Sequence, residues 1–217
     1  MITELLLKIA RTGHNLRDLS PEALGRLLEE ELCKMSVSRL STESLIVVAS
    51  LVKRAVRLKV LILGPGVAGG DIYDKRCEIR QLLTRLGHEA HFCEEVWTPE
   101  ILERSGLNLA VAEYVQALGY DYVICLMASP GSIGEVHDLA KVKRIAVKMM
   151  ICVDGKHREG YSAKGVLRIF EGYNGKLDWF LYPSDITECH LSKRVVDQIQ
   201  KVAERKQWEL AKGGTVS

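Results

Sequence analysis

The feature that most constrains this 217-residue chain is a continuous apolar run, KVLIL at 59–63, that leads directly into a glycine-rich segment. An apolar run without polar alternation is typical of a parallel strand buried on both faces of a sheet. Four later segments also have strand character: HEAHFCEE at 88–95, DYVICLMAS at 121–129, RIAVKMMICV at 144–153 and LDWFLY at 177–182. Helical patterns separate them, which predicts an α/β fold with a five-stranded, mostly parallel sheet and helices on both faces. We expect the flavodoxin-like strand order 2-1-3-4-5.

Capping residues and apolar spacing locate the helices between these strands. A helix over 73–86 is predicted by leucine and isoleucine at helical spacing, with Gly87 placed for a left-handed C-terminal cap. Thr98, Pro99 and Glu100 are typical of a helix start, and periodicity returns over 107–118. Further helical stretches are predicted near residues 132, 162 and 187.

The first quarter of the chain differs in character from the rest. Residues 1–56 carry only helical signals, such as the Ser20-Pro21-Glu22 helix start. We therefore expect a helical N-terminal appendage at 1–56 and a Rossmann-like α/β domain at 57–217. The apolar segment 45–56 is a candidate surface for self-association or for a partner protein.

Composition excludes several classes of function. The net charge of +2 gives no electrostatic case for nucleic acid or a membrane surface, and no uncharged run approaches the ~20 residues of a membrane span. We expect neither export nor membrane insertion, and a cytoplasmic location. The six cysteines include no C-x-x-C pair, which favours free thiols over disulfides or a metal site. No metal and no cofactor is predicted.

The first glycine-rich loop, at 64–70, is a candidate binding element. Its glycines allow backbone N–H groups to approach an anion or a sugar, so Gly64, Pro65 and Gly66 are candidate ligand contacts. The spacing G-x-G-x-x-G occurs, but the acidic residue of a dinucleotide fingerprint is ambiguous between Glu94 and Glu95. A plain turn remains the alternative.

The second loop, at 129–135, ends strand three and begins a helix. Ser129, Gly131 and Ser132 are candidate ligand contacts at that helix start. Glu135 has two interpretations: it completes a capping box with Ser132, or it is an ionised carboxylate beside the ligand. In the predicted order, strands one and three are neighbours whose connections diverge, so the two loops would border one crevice.

Several other polar residues are weaker candidates. Asp71, Tyr73 and Asp138 are included as ligand contacts, although acidic residues near helix starts also favour the helix dipole. His137 is either a proton carrier beside Glu135 or a surface residue. Two further features stay open between a ligand role and ordinary solvent exposure: the pair Arg76 and Arg80, and the charged loop at 154–162.

Three segments resemble nucleoside 2-deoxyribosyltransferases and related nucleotide-binding domains over about residues 58–140. They are LILGPG at 61–66, EIR with LLTRLGHEA at 78–90, and DYVICLMASPGSIGEVHDLA at 121–140. In that family a carboxylate on the helix after strand three is the nucleophile at the sugar anomeric carbon, which implies a catalytic role for Glu135. The family's glycines after strand one line the sugar or phosphate site, which implies the same for Gly64, Pro65 and Gly66. Related TIR and SLOG-type domains cleave NAD or sense nucleotide signals, often in bacterial antiviral defence.

These features support three functional hypotheses. The first is an enzyme that breaks or exchanges the N-glycosidic bond of a nucleotide, nucleoside or NAD. The second is a sensor that binds a nucleotide signal without catalysis and passes the event to partner proteins. The third is a scaffold with a vestigial pocket. The first two require a small-molecule ligand at the same crevice.

Overall fold

The computed structural model describes residues 56–211, with side chains through residue 209. The helices predicted before Val56 lie outside the described residues, as does the proposed self-association surface. Residues Leu58–Ile199 form one compact unit, which contains both glycine-bearing loops.

A five-stranded, entirely parallel sheet forms the centre of this unit. The strands are β1 (Lys59–Leu63), β2 (Glu89–Phe92), β3 (Tyr122–Met127), β4 (Met149–Asp154) and β5 (Lys176–Phe180). Their order is β2-β1-β3-β4-β5, which confirms the predicted α/β class and strand order. Every residue of β3 and β4 is buried, as the unbroken apolar runs predict.

Helices connect the strands on both faces of the sheet. They are α1 (Asp71–Arg85), α2 (Pro99–Ser105), α3 (Leu109–Leu118), α4 (Pro130–Leu139), α5 (Lys143–Ala146), α6 (Tyr161–Lys164), α7 (Val166–Gly172), α8 (Ser184–Thr187) and α9 (His190–Ala211). Short 3-10 turns occupy Val67–Gly69, Cys93–Glu95 and Gly155–His157. Among the helices of residues 56–211, none combines the length and apolarity needed to cross a membrane.

The predicted helix signals act as caps in the structure. Thr98 is the N-cap of α2 and its side chain accepts from the Ile101 N–H, with Pro99 in the first turn. Gly87 follows α1 with a φ of 90°, which confirms its left-handed position. Helix α1 begins at Asp71, two residues before the predicted start at Tyr73.

One face of the sheet packs on α4 and α7. The core cluster there includes Leu61, Val123 and Ile151 from three strands, with Val136 and Phe170 from the helices. Cysteines contribute as small apolar residues: Cys125 and Cys152 are buried on β3 and β4. The described cysteines, 77, 93, 125, 152 and 189, are all free, as predicted, whereas Cys33 lies outside the described residues.

Candidate functional site

The carboxyl ends of β1 and β3 lie side by side, so the loops that follow them are neighbours. Leu63 at the end of β1 pairs with Cys125 in β3. Gly64 adopts a φ of 146°, and a Cβ there would lie 3.2 Å from the Leu126 Cβ. Glycine is therefore required at this position, both for the backbone conformation and for the close approach of the two strands.

Arg76 holds the first loop in place through hydrogen bonds to backbone carbonyls. Its side chain is fully buried, and Nη2 donates to the Ile62 carbonyl at 2.7 Å while Nη1 donates to the Pro65 carbonyl at 3.3 Å. The same two nitrogens also donate to the two carboxylate oxygens of Glu94 at 2.7 Å each. The sequence indicated that Arg76 either binds a phosphate or is exposed to solvent. The structure shows neither, because Arg76 is buried and both terminal nitrogens of its guanidinium donate to groups of the protein, while Nε is buried without a partner among the described residues.

Glu135 lies in the second turn of α4, the helix that follows β3. Its Oε1 is 3.9 Å from the Cys93 Sγ, and its Oε2 is buried with no hydrogen-bond partner among the described residues. Burial, reinforced by the nearby Glu113 and Glu94 carboxylates and opposed by Arg76, raises the pKa of Glu135 to about 7. The expectation that the helix start keeps this carboxyl fully ionised was wrong. Near neutral pH it is divided between its two protonation states.

The capping box of α4 does not include Glu135. Ser129 is the N-cap, and its Oγ accepts from the Ser132 N–H at 3.2 Å. Ser132 is the reciprocal partner, since its buried Oγ accepts from the Ser129 N–H at 2.9 Å. The capping interpretation of Glu135 is therefore wrong. The hydroxyls of Ser129 and Ser132, predicted as ligand contacts, are committed to the helix cap.

The other predicted contacts do not all face one point. Pro65 is buried, whereas Gly66 and Gly131 are exposed. The exposed Asp138 lies near Glu113. Burial raises the pKa of Glu113, and the charge of Asp138 raises it further. Two further candidates diverge on α1: Asp71 accepts from the Tyr182 hydroxyl at 3.2 Å, and Tyr73 interacts with Cys77 one turn along.

Two cavities open at the carboxyl edge on the other side of β3. The first, of about 200 Å³, is lined by Ile72, Asp154, Lys156, Phe180 and Tyr182, among others. The second, of about 180 Å³, is lined by Ile133, Val153, Tyr161, Ser162 and Leu167, among others. Met127, Ala128 and His157 contribute to both. Neither cavity is lined by Glu135 or by residues 64–66.

Helix α4 separates Glu135 from the second cavity. Ile133 lines the second cavity, and His137, one turn further, places Nε2 3.0 Å from the Ser162 Oγ and stacks on Tyr161. Residues two positions apart on a helix point about 200° apart, so Glu135 faces the β2 side while Ile133 and His137 face the β4 side. His137 is consequently not a proton partner of Glu135.

The charged loop after β4, for which a ligand role stayed open from the sequence, contributes residues to both cavities. His157, Gly160, Tyr161 and Ser162 line the second cavity, and Lys156 lines the first. Tyr182 was missed altogether. Its position directly after β5 was the available signal, because all parallel strands end at the same edge of the sheet.

Comparison with known proteins adds no family to this geometry. No protein-family model matches the chain, and no curated protein matches it. Across residues 56–211, no group of three or more His, Cys, Asp or Glu side chains is placed to hold a metal ion. The fold and the residues at the carboxyl edge of the sheet are therefore what indicates a function for this protein.

Proposed function

We propose that this protein acts on the N-glycosidic bond of a nucleotide, nucleoside or NAD, with Glu135 as the reacting carboxyl group. One observation supports this above all: on the helix that follows β3, Glu135 carries a carboxyl with a pKa of about 7 and a buried oxygen that has no hydrogen-bond partner among the described residues. Titratable groups perturbed by burial are typical of functional sites, and in parallel sheets such sites lie at the carboxyl ends of the strands.

The raised pKa makes both halves of the chemistry accessible. In its protonated form Glu135 donates a proton to the departing base as the C1′–N bond breaks and its electron pair moves to the base nitrogen. In its ionised form the carboxylate faces the electron-poor anomeric carbon and stabilises or traps it. In hydrolysis, water forms the new C1′–O bond, any bond between Glu135 and C1′ breaks with its electron pair returning to the carboxylate, and the proton of the water passes to Glu135. In transfer, a second base forms a new C1′–N bond in the same way and its proton passes to Glu135.

The first loop supplies the binding element of this proposal. Gly66 is exposed and has no side chain to obstruct a ligand, while the preceding carbonyl of Pro65 is held by Arg76. An anchored loop with an open glycine lets backbone N–H groups contact sugar hydroxyls or a phosphate at little entropic cost. The resemblance to nucleoside 2-deoxyribosyltransferases supports the same ligand class. A role in antiviral defence comes from that resemblance alone and belongs to the same proposal.

A second candidate function is a nucleotide sensor without catalysis. The observation that favours it is the position of the two cavities, neither of which is lined by Glu135. A ligand held there is out of reach of the Glu135 carboxyl. Binding would then be transmitted to other proteins rather than followed by bond cleavage.

Base release separates the two functions. The protein is incubated with ribonucleosides, deoxynucleosides, their monophosphates and NAD, and free base is followed by chromatography. We expect release by the wild type and loss of release in Glu135→Gln, with Glu171→Gln, an exposed carboxylate on α7, as the matched control. Binding without release by the wild type would support the sensor, and release that survives in Glu135→Gln would refute the assigned role.

A further inference from the structure

The two cavities at the carboxyl edge of β3, β4 and β5 differ sharply in lining although they share a wall. Asp154, Lys156 and Tyr182 give the first cavity a polar character. Ile133, Val153 and Leu167 give the second an apolar one. The shared wall consists of Met127, Ala128 and His157. A ligand that spans both would need one polar and one apolar part joined at that wall.

Cavity size indicates a single ligand for both. At about 200 and 180 Å³, each is smaller than the roughly 300–1,000 Å³ typical of small-molecule pockets. Taken together they reach that range. Because Met127, Ala128 and His157 line both, the two cavities adjoin, and a molecule that occupies both has to pass these three residues.

The charges of the first cavity favour sugar hydroxyls over a free phosphate. The Lys156 ammonium lies 2.9 Å from Asp154 Oδ2, so its charge is already balanced. Although burial opposes it, hydrogen bonds from Lys156 hold the pKa of Asp154 below its usual range. Asp154 is thus an ionised, nearly buried acceptor. Such a carboxylate accepts hydrogen bonds from hydroxyls, and its ion pair with Lys156 has no net positive charge to attract a phosphate.

The second cavity suits a planar heterocycle. Its walls are apolar, and Tyr161 stands exposed at its rim with its ring parallel to that of His137. The Ser162 hydroxyl, held by His137, is one of the polar groups that can orient the ring. Apolar walls with few polar groups are the usual lining of sites for aromatic ligands.

We propose that the two cavities together bind one nucleoside, with the base in the apolar cavity and the sugar hydroxyls at Asp154. The inference takes its ligand class from the proposed function, but it does not involve Glu135, which faces the other side of α4. Occupancy of this site is therefore binding without Glu135-dependent cleavage.

The test blocks each cavity separately. Binding of adenosine, guanosine, cytidine and thymidine is measured by titration calorimetry and by methyl chemical shifts of Val153 and Leu167. Ile133→Trp fills the apolar cavity, and its matched control is Ile169→Trp, at an equally exposed isoleucine on α7 outside both cavities. Asp154→Asn removes the acceptor charge, and its control is Asp197→Asn on an exposed face of α9.

We expect at least one nucleoside to bind and to shift both methyl signals. Ile133→Trp and Asp154→Asn should each weaken that binding about tenfold or more, and the controls less than twofold. Inorganic phosphate should not compete. The proposal is overturned if no nucleoside at millimolar concentration shifts the Val153 and Leu167 methyl signals, if those shifts survive in Ile133→Trp with its fold intact by circular dichroism, or if phosphate competes for them.

The same variants separate this inference from the proposed function. Glu135→Gln should abolish base release without removing the Val153 and Leu167 methyl shifts, and Ile169→Trp, outside both sites, should leave both readouts unchanged. If base release is lost only in Glu135→Gln, both the proposed activity and the separate binding site are supported. If the wild type releases no base, only the proposed activity is refuted. Loss of base release in Ile133→Trp would show that the cavities feed Glu135 and would refute the separate binding site.

Discussion

Arg76 and Glu94 are joined by two hydrogen bonds of 2.7 Å, one from each terminal guanidinium nitrogen to each carboxylate oxygen. The guanidinium is fully buried and also holds two carbonyls at the end of β1. This pair therefore ties the first loop to the segment after β2. A dinucleotide fingerprint requires an acid that is available to bind the ribose. Glu94 binds Arg76 and Glu95 binds Arg80, so both candidate acids are already engaged in ion pairs.

Removal of the Arg76 guanidinium should destabilise the protein strongly. Arg76→Met removes two hydrogen bonds to the half-exposed Glu94 and one each to the Ile62 and Pro65 carbonyls, and we expect a loss of about 2–4 kcal/mol in the free energy of unfolding. Arg85→Met, at an exposed position of the same helix, should change it by less than about 0.5 kcal/mol. Urea denaturation measures both. Equal effects would contradict the anchoring role.

The two serines that cap α4 should behave as one unit. Ser129→Ala and Ser132→Ala each remove one half of the reciprocal cap, so each should cost about 1–2 kcal/mol of unfolding free energy. Because they share the same hydrogen bonds, the double variant should cost clearly less than the two single losses combined. Additive losses in denaturant titrations would show that the hydroxyls act independently.

Two glycines of the first loop should respond differently to an added methyl group. A Cβ at Gly69 would collide with the Cβ of Pro65, whereas a Cβ at Gly66 meets nothing within 4 Å. Gly69→Ala should therefore destabilise by about 1–3 kcal/mol, and Gly66→Ala by less than about 0.5 kcal/mol. Gly66→Ala should nevertheless slow base release, since its methyl group stands where a ligand approaches the loop. Unchanged kcat/KM in this variant would argue against the loop as the binding element.

The raised pKa of Glu135 predicts a stability that depends on pH. The folded carboxyl keeps its proton up to about pH 7, whereas an unfolded glutamate loses it near the usual value of 4.5. The native state binds more protons in this window, so the free energy of unfolding should fall as pH rises from about 4.5 to 7. Glu135→Gln should remove on the order of 1–3 kcal/mol of that fall. Denaturation at pH 5 and pH 8 checks it against Glu171→Gln, which should keep the full slope.

The strands and their parallel direction could be predicted because they depend on patterns local to the sequence, whereas strand order and loop adjacency were expected from the common flavodoxin-like arrangement. Uninterrupted apolar runs fix which segments are central strands, and alternation with helices fixes their direction. The start of α2 was equally readable, because Thr98 and Pro99 have the residue types that a helix start requires. The N-cap of α4 was readable too. Pro130 occupies the first helical position and so points to Ser129 rather than Ser132 as the cap.

The contacts of charged side chains could not be predicted in the same way. Burial of Arg76 depends on the Ile62 and Pro65 carbonyls and on Glu94, which come from two segments that are distant from each other in the sequence. The Glu135 pKa likewise depends on Glu113 and Glu94, brought near only by tertiary packing. Helical geometry does separate Ile133 from Glu135 by sequence alone, but which side would carry a cavity follows from the packing of α6 and the loop after β4.

The most direct test of the account is a titration of the Glu135 carboxyl itself. The side-chain carboxyl carbons of ¹³C-labelled glutamate are followed by NMR from pH 4 to pH 9, and Glu135 is assigned by its loss in Glu135→Gln. The titration is repeated with C-nucleosides, which carry carbon in place of the glycosidic nitrogen and resist cleavage. The account predicts a midpoint near pH 7 that moves when a C-nucleoside binds. A midpoint near pH 4.5, or one that no C-nucleoside displaces, would contradict the claim that this carboxyl meets the ligand.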